Sequence, residues 1–279
     1  MKTRVIFGFG AAILLVTALY VAPLWFLAAM SCSAAILGFL EFDKLFFFHP
    51  RAQAKLRRGI QLALLIFTIC AMAHSPLTGW LAFWVSPIVM SIFHVFHSNK
   101  GEDFAREVRE ASLEVLAFWY LLSIFGFLVP IAKIHPHGRD LLFLLFIVVF
   151  LGDTVAFLVG RTWGRHSLAS LVSPKKTVEG AVGGIFGSIL GAVVWFAVLH
   201  REAEWFDTTF WALILVSPFI GALGQLGDLF ESLLKRSRQQ KDSGAFLPGH
   251  GGMLDRVDGL ALSAPLFYFY LVIFFGGGF

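Results

Sequence analysis

The sequence predicts an all-α, polytopic membrane protein with about nine transmembrane helices and long polar loops on the cytoplasmic side. Of its 279 residues, 58% are hydrophobic and only 14% are charged, and the mean hydropathy is +0.79. Soluble domains carry roughly 25% charged residues, so the composition excludes an ordinary soluble enzyme. The other two observations are a series of apolar runs of membrane-spanning length and a one-sided distribution of basic residues.

Nine apolar runs divide the chain. The first begins after Lys2 and Arg4, as a signal peptide would. A second run follows across Pro23 without a convincing small-residue cleavage site, so we expect the first to be retained as a membrane helix. The runs cover residues 5–21, 24–40, 59–73, 79–96, 113–132, 141–160, 178–199, 209–226 and 259–278.

The basic residues predict the orientation of these spans. With the N-terminus in the cytoplasm, 19 of the 22 Lys and Arg residues fall on the inside. The three outside are Lys133, Arg139 and Arg201. This asymmetry follows the positive-inside rule and places the C-terminus outside. The formal charge of +4 therefore reports topology and phosphate chemistry, and we expect no nucleic-acid partner.

We expect two regions along the chain. Residues 1–132 form an N-terminal transmembrane region of about five spans plus a cytoplasmic surface helix at 98–112, where charged residues recur at i,i+3 and i,i+4 spacing. Residues 133–279 form a C-terminal transmembrane region that carries the polar motifs. Cys32 and Cys70 both lie in apolar runs and indicate neither a disulfide framework nor a zinc site.

The first long inside loop, between the apolar runs 141–160 and 178–199, has the residue types of an anion site. Pro174 stops any preceding helix, and Thr177 is a good N-cap for the run that follows. Lys175 and Lys176 therefore stand beside a helix N-terminus, where free N–H groups and the helix dipole favour phosphate. The alternative is a pair of ordinary positive-inside lysines.

Two features border this loop. Glycines spaced by three and four residues predict close packing of two membrane helices, with close approach of a ligand to Gly180 as the alternative. Asp153 lies within an apolar run, where a carboxylate is costly and is by default a functional candidate. A structural ion pair is the competing interpretation for Asp153. The glycines are Gly180, Gly183, Gly184, Gly187 and Gly191.

The second long inside loop, between the apolar runs 209–226 and 259–278, predicts a site for a metal–polyphosphate complex. If the helix continues past Gly227, Asp228, Ser232 and Lys235 share one face. Hard carboxylate oxygens suit Mg²⁺ or Mn²⁺ better than zinc, and neighbouring basic groups bind phosphates. His250 lies between glycines, and it either acts on a proton or phosphate or only stabilises a turn. The carboxylates are Asp228, Asp255 and Asp258, and the basic residues are Lys235, Arg236, Lys241 and Arg256.

These two loops together resemble the phosphatidate cytidylyltransferase, or CDP-diacylglycerol synthase, family. The second loop has the family's order of Ser232, Lys235-Arg236, Lys241-Asp242, His250-Gly251-Gly252 and Asp255-Arg256-x-Asp258. The first has the Ser-Pro-Lys-Lys-Thr-x-Glu-Gly stretch of residues 173–180, preceded by Asp153-Thr154 and Gly160-Arg161. Phe157 stands where the family has a tyrosine. The resemblance covers about residues 150–279.

The resemblance implies that CTP and phosphatidic acid condense to CDP-diacylglycerol and pyrophosphate for phospholipid synthesis. It also implies Mg²⁺, with Mn²⁺ and a monovalent cation as further possibilities, a homodimer, and a location in the bilayer of the bacterial inner membrane with a cytoplasmic active site. The metal ligands would be Asp228 and Asp255, supported by Asp258. The residues that bind CTP would be Asp153, Ser173, Lys175, Lys176, Thr177 and Glu179.

Three alternative functions are compatible with the same residues. A CTP-dependent polyprenol kinase would use a similar metal–nucleotide site but transfer the γ-phosphoryl group. A related cytidylyltransferase would act on another acidic lipid. A transporter or channel would also have many spans, but its polar groups should line the bilayer midplane, whereas here they gather at one surface.

Overall fold

The computed structural model describes residues 16–46, 52–97, 104–134, 137–199, 208–244 and 251–274. Within these residues the chain is almost entirely helical, which confirms the predicted all-α class. A small β-hairpin interrupts the helices. In chain order the elements are α1 (Leu24–Phe46), α2 (Ala52–His74), α3 (Pro76–His97), α4 (Phe104–Phe125), α5 (Leu128–Lys133), α6 (Gly138–Trp163), β1 (Ser167–Ala169), β2 (Ser173–Thr177), α7 (Val178–Leu199), α8 (Thr208–Ser237), α9 (Leu254–Val257) and α10 (Leu260–Phe274).

Seven helical segments within the described residues are long and apolar enough to cross a membrane. They include every helix from α1 to α8, with α4 and α5 forming one segment. The apolar α10 has 15 residues, which is short for a span. Most of the first predicted run, 5–21, lies outside the described residues, although residues 16–21 are helical. The chain is an integral membrane protein, and the predicted count of nine spans is not confirmed.

The chain forms two compact units. The first contains the described residues up to Pro130 together with those of Ser243–Leu254. In it α1 packs on α2 and α4, and α3 packs on α2 and α4. Leu65, Phe118 and Leu121 are completely buried between these helices. The second unit contains Ile131–Asp242 and Asp255–Gly278, and it holds almost all of the predicted site residues.

The charged segment before the fifth predicted span is not a separate surface helix. From Phe104 onwards it is the first part of α4, which continues without a break to Phe125. Glu107 and Glu110 pair with Arg57 of α2 at 3.3 and 3.0 Å, rather than only along their own helix. The i,i+4 spacing correctly indicated a helix, but it could not show that a second helix supplies the cation.

In the second unit, glycines allow α7 to pack closely along α6. A Cβ on Gly183 would lie 2.7 Å from Cβ of Val159, and one on Gly187 would lie 2.7 Å from Cβ of Val155. Gly180 approaches the carbonyl oxygen of Ala156 in the same way. The helix-packing interpretation of these glycines is therefore confirmed, because small residues let membrane helices come close together.

We expect Gly183→Ala to lower the thermal stability of the protein in detergent. Overpacking a close helix contact costs about 1–3 kcal/mol. Gly59→Ala is the control, because a Cβ there meets nothing within 4 Å and alanine favours a helix by about 1 kcal/mol over glycine. Unfolding temperatures measured by scanning fluorimetry should fall for Gly183→Ala only. Equal melting of Gly183→Ala and the wild type would contradict the packing account.

The polar loop before α7 folds as an antiparallel hairpin of β1 and β2, an element that the sequence analysis did not predict. The hairpin places Ser173–Thr177 in an extended strand, in which successive side chains point to opposite faces. Thr177 caps α7, because its Oγ1 accepts a hydrogen bond from the N–H of Gly180 at 3.1 Å. The predicted N-cap is therefore confirmed.

Candidate active site

The two polar loops meet in the second unit at Lys176 and Asp228. Nζ of Lys176, in β2, lies 2.6 Å from Oδ2 of Asp228, in α8. Helix α8 continues through Gly227 to Ser237, so Asp228, Ser232 and Lys235 share one face, as their spacing indicated. A lysine suited to phosphate thus lies beside a carboxylate suited to a metal ion.

Asp228 belongs to a group of three carboxylates. One oxygen from each of Asp228, Glu231 and Asp258 lies within 4.8 Å of the others. Asp228 and Glu231 are one turn apart on α8, and Asp258 lies between α9 and α10. Gly227 makes this approach possible, because a Cβ at that position would collide with the carbonyl oxygen of Asp258. The resulting cluster of negative charge is partly or fully buried.

The chemistry of this group fits a divalent cation. Mg²⁺ binds oxygen ligands at about 2.1 Å, which places neighbouring ligand oxygens roughly 3–4 Å apart. Oε1 of Glu231 is buried and has no hydrogen-bond partner among the described residues. Burial and the nearby charges of Asp228 and Glu231 raise the pKa of Asp258 well above its usual range. A bound cation would satisfy the unpaired oxygen and remove this charge repulsion.

Asp255 has a different environment. Its Oδ1 accepts a hydrogen bond from Nζ of Lys235 at 2.6 Å, and the same Nζ lies 2.6 Å from Oε2 of Glu231. Because the buried Lys235 bonds to both Asp255 and Glu231, it links Asp255 to the carboxylate group. This geometry favours Glu231 and Asp258, beside Asp228, as the metal ligands. Asp255 instead contacts Lys235.

Metal dependence should separate these two assignments. We expect Asp258→Asn to raise the Mg²⁺ concentration for half-maximal activity at least about tenfold, because it removes a ligand. Asp255→Asn should lower turnover while leaving that concentration within about twofold, because Lys235 keeps its bond to Glu231. Mg²⁺ titrations of the two purified variants make the comparison. Equal shifts in both would restore Asp255 as a ligand.

The predicted residues of the first loop lie in different environments. Lys175 is exposed, whereas its strand neighbour Lys176 is partly buried against Asp228. Ser173 pairs with Ala169 in the hairpin. Glu179 accepts hydrogen bonds from the N–H groups of Arg165 and His166 at 3.1 and 3.2 Å and lies 2.6 Å from Nδ1 of His166. The contacts of Glu179 thus stabilise the turn that leads into the hairpin.

The other predicted residues lie around this centre. Asp153 of α6 lies close enough to Asp228 and Lys176 to interact with their charges. Arg236 donates to the carbonyl oxygen of Val172 at 3.3 Å and therefore ties α8 to the hairpin turn. Lys241 and Arg256 are exposed. His250 lies outside the described residues.

Glu231 was not identified as a site residue from the sequence. Its signal was present, because it lies three residues after Asp228 and four before Lys235 on the same helical face. In an otherwise apolar helix, an acidic residue at that spacing from a metal candidate is itself a candidate ligand.

A family model described as the cytidylyltransferase family matches residues 2–274. The chain belongs to this family. Both polar loops and all of the described helices fall within the matched region. The membership that the two motif loops indicated is therefore confirmed.

Several similar proteins bear the name phosphatidate cytidylyltransferase. The one from Bacillus subtilis (strain 168) is 36% identical over 165 residues, which are 59% of this chain and 60% of that protein. The one from Staphylococcus saprophyticus is 41% identical over 138 residues, and the one from Staphylococcus epidermidis strain RP62A is 43% identical over 140 residues. Each of these two alignments covers 50% of this chain and 51% of the relative. The chain thus spans about half to three fifths of these relatives.

Proposed function

We propose that this protein transfers the cytidylyl group of CTP to phosphatidic acid, which yields CDP-diacylglycerol and pyrophosphate. The observation that carries the proposal is the approach of Lys176 to Asp228 at 2.6 Å, beside three clustered carboxylates. This arrangement suits a nucleoside triphosphate bound with a divalent cation. The family membership and the names of the similar proteins support cytidylyl transfer to phosphatidate in particular.

The proposed reaction requires the protein mainly to bind the two substrates and to neutralise their negative charge. The phosphomonoester of phosphatidate is largely ionised at neutral pH, since the second pKa of such a group is about 6. One of its oxygens attacks the α-phosphorus of CTP, and a new P–O bond forms. The bond between the α-phosphorus and the bridging oxygen breaks, and pyrophosphate leaves with the electron pair. No general base is required, so alignment and charge neutralisation dominate catalysis.

Each group then has a defined task. Lys176 binds the β- and γ-phosphates, with Lys175 contributing from the exposed face of β2. Asp228, Glu231 and Asp258 hold the cation, for which Mg²⁺ is the proposed ion. When bound, it supplies charge neutralisation for the phosphates of CTP. Lys241 and Arg256 bind the phosphatidate headgroup. Asp255 keeps Lys235 aligned with Glu231.

The charge distribution supports a cytoplasmic setting for the reaction. We propose that the N-terminus and the site lie on the cytoplasmic side of a bacterial inner membrane, where CTP is available. The excess of Lys and Arg on that side supports this orientation. We also propose a homodimer, by analogy with the family. Phosphatidate presents its headgroup at the same membrane surface.

Product analysis with different lipid acceptors tests the proposal. Purified protein in detergent is incubated with CTP, Mg²⁺ and either phosphatidate, a polyprenyl phosphate or a polyprenol. Pyrophosphate release should require phosphatidate. Release with the polyprenyl phosphate alone would indicate a cytidylyltransferase for another lipid phosphomonoester. Formation of CDP with the polyprenol would indicate a lipid kinase.

A further inference from the structure

A buried carboxylate in the first unit contacts both ends of the loop between residues 243 and 254. Glu41 lies near the C-terminal end of α1 and is only 5% exposed. Its Oε2 accepts hydrogen bonds from Oγ of Ser243 at 3.1 Å and from the N–H of Leu254 at 3.0 Å. Its Oε1 accepts one from the N–H of Met253 at 2.8 Å. These partners are more than 200 residues away in sequence.

The loop is shaped to receive this side chain. A Cβ on Gly244 would lie 2.8 Å from Oε1 of Glu41. A Cβ on Gly252 would collide with Oγ of Ser243 and press on the Glu41 carboxylate. At either position a side chain would displace the Glu41 carboxylate or the Ser243 hydroxyl. Because an acidic residue within an apolar helix is costly, three converging hydrogen bonds and two glycines indicate a specific function for Glu41.

The loop leads directly into the site. Met253 immediately precedes the short helix α9, which begins at Leu254 and contains Asp255. Asp258 follows one turn after Leu254. The position of the Leu254 backbone therefore limits where Asp255 and Asp258 can lie, because only one to four residues separate them.

We propose that Glu41 is a positioning residue for the transferase reaction, because it anchors Ser243, Met253 and Leu254 and thereby orders the start of α9, the short helix that carries Asp255. This inference rests on the proposed function. Glu41 itself contacts neither substrate, since its two oxygens are occupied by the loop. Its loss should release the start of α9 and lower turnover, while the binding of CTP at Lys176 remains nearly unchanged.

The test compares Glu41→Met, Glu41→Gln and the control Asp43→Asn. Methionine has a similar length and volume but no carboxylate, whereas glutamine keeps one acceptor oxygen. Asp43 lies two residues away on the same helix and pairs with Arg58 instead. Turnover, the KM for CTP, and hydrogen–deuterium exchange of a peptide that covers residues 251–257 are measured for each.

We expect Glu41→Met to lower kcat at least about tenfold, because it leaves donors to a charged acceptor unpaired. The KM for CTP should stay within about twofold, and exchange in residues 251–257 should accelerate. Glu41→Gln should recover part of the turnover, and Asp43→Asn should match the wild type. A purely space-filling role predicts full activity for Glu41→Met, and this result would overturn the inference. Faster exchange with unchanged kcat would overturn it as well.

Two further arms keep the test decisive. If Glu41→Met does not fold, Ser243→Ala removes one hydrogen bond to the same carboxylate. Faster exchange and a lower kcat in that variant would support the anchor, and wild-type values for both would reject it. If wild-type protein makes no CDP-diacylglycerol, the proposed function fails, but the exchange measurement still tests whether Glu41 anchors the loop.

Discussion

Asp228→Asn should reduce turnover at least about a thousandfold, which is the largest effect we expect from a single substitution. Asp228 contacts Lys176 and contributes to the three-carboxylate group, so the change weakens both the cation site and the alignment of the phosphate-binding lysine. Losing several kcal/mol of charge stabilisation corresponds to this factor in rate. Steady-state assays over a range of Mg²⁺ concentrations measure it.

Folding should survive this substitution. Asparagine has almost the same shape as aspartate, and it removes a negative charge from a crowded acidic group. The unfolding temperature should therefore equal or exceed that of the wild type. Asp140→Asn is a matched control, because Asp140 lies in the first turn of α6, pairs with His137 and lies outside the carboxylate group. Near wild-type turnover in Asp228→Asn would remove Asp228 from the metal site.

Lys176→Ala should lower kcat/KM for CTP about a hundredfold, the second large effect. The ammonium group lies 2.6 Å from Asp228, where a metal-bound triphosphate would replace part of this ion pair. A charge-assisted hydrogen bond of about 1.5–3 kcal/mol accounts for a factor of roughly ten to a hundred. Initial rates at varied CTP and fixed phosphatidate measure the effect.

Lys175→Ala is the internal control for this prediction. Lys175 is the strand neighbour of Lys176, but it is exposed and points to the opposite face. Its loss should change kcat/KM for CTP less than about tenfold. If Lys175→Ala proved the more damaging, the exposed face of β2 would be the nucleotide side. If only the phosphatidate dependence changed in Lys176→Ala, the two loops would have been assigned to the wrong substrates.

Local patterns were sufficient to predict much of the fold and part of the site. Hydropathy alone gave the membrane class, since an apolar run of about 20 residues has few other uses. Thr177 was recognisable as a cap because its hydroxyl precedes an apolar run. The shared face of Asp228 and Lys235 followed from helical periodicity, which holds wherever the helix is unbroken.

The remainder depended on contacts between distant segments. The spacing of Asp255 and Asp258 indicates two carboxylates on one helical face. It does not show that Asp255 pairs with Lys235, or that Asp258 lies beside Asp228 and Glu231. Arg57 is one of the 19 basic residues assigned to the inside by charge, and no sequence pattern shows that it pairs with Glu107 and Glu110 of another helix. Glu41 lies at the end of an apolar run with no motif near it, and its partners are 202–213 residues away.

The transfer of label from CTP to lipid tests the central claim most directly. Purified protein is incubated with phosphatidate, Mg²⁺ and CTP that carries ³²P at either the α- or the γ-phosphate, and the lipid is then extracted. The proposed reaction places the α-label in the lipid and leaves the γ-label in soluble pyrophosphate. Recovery of the γ-label in the lipid, with CDP in solution, would contradict cytidylyl transfer and indicate a CTP-dependent lipid kinase.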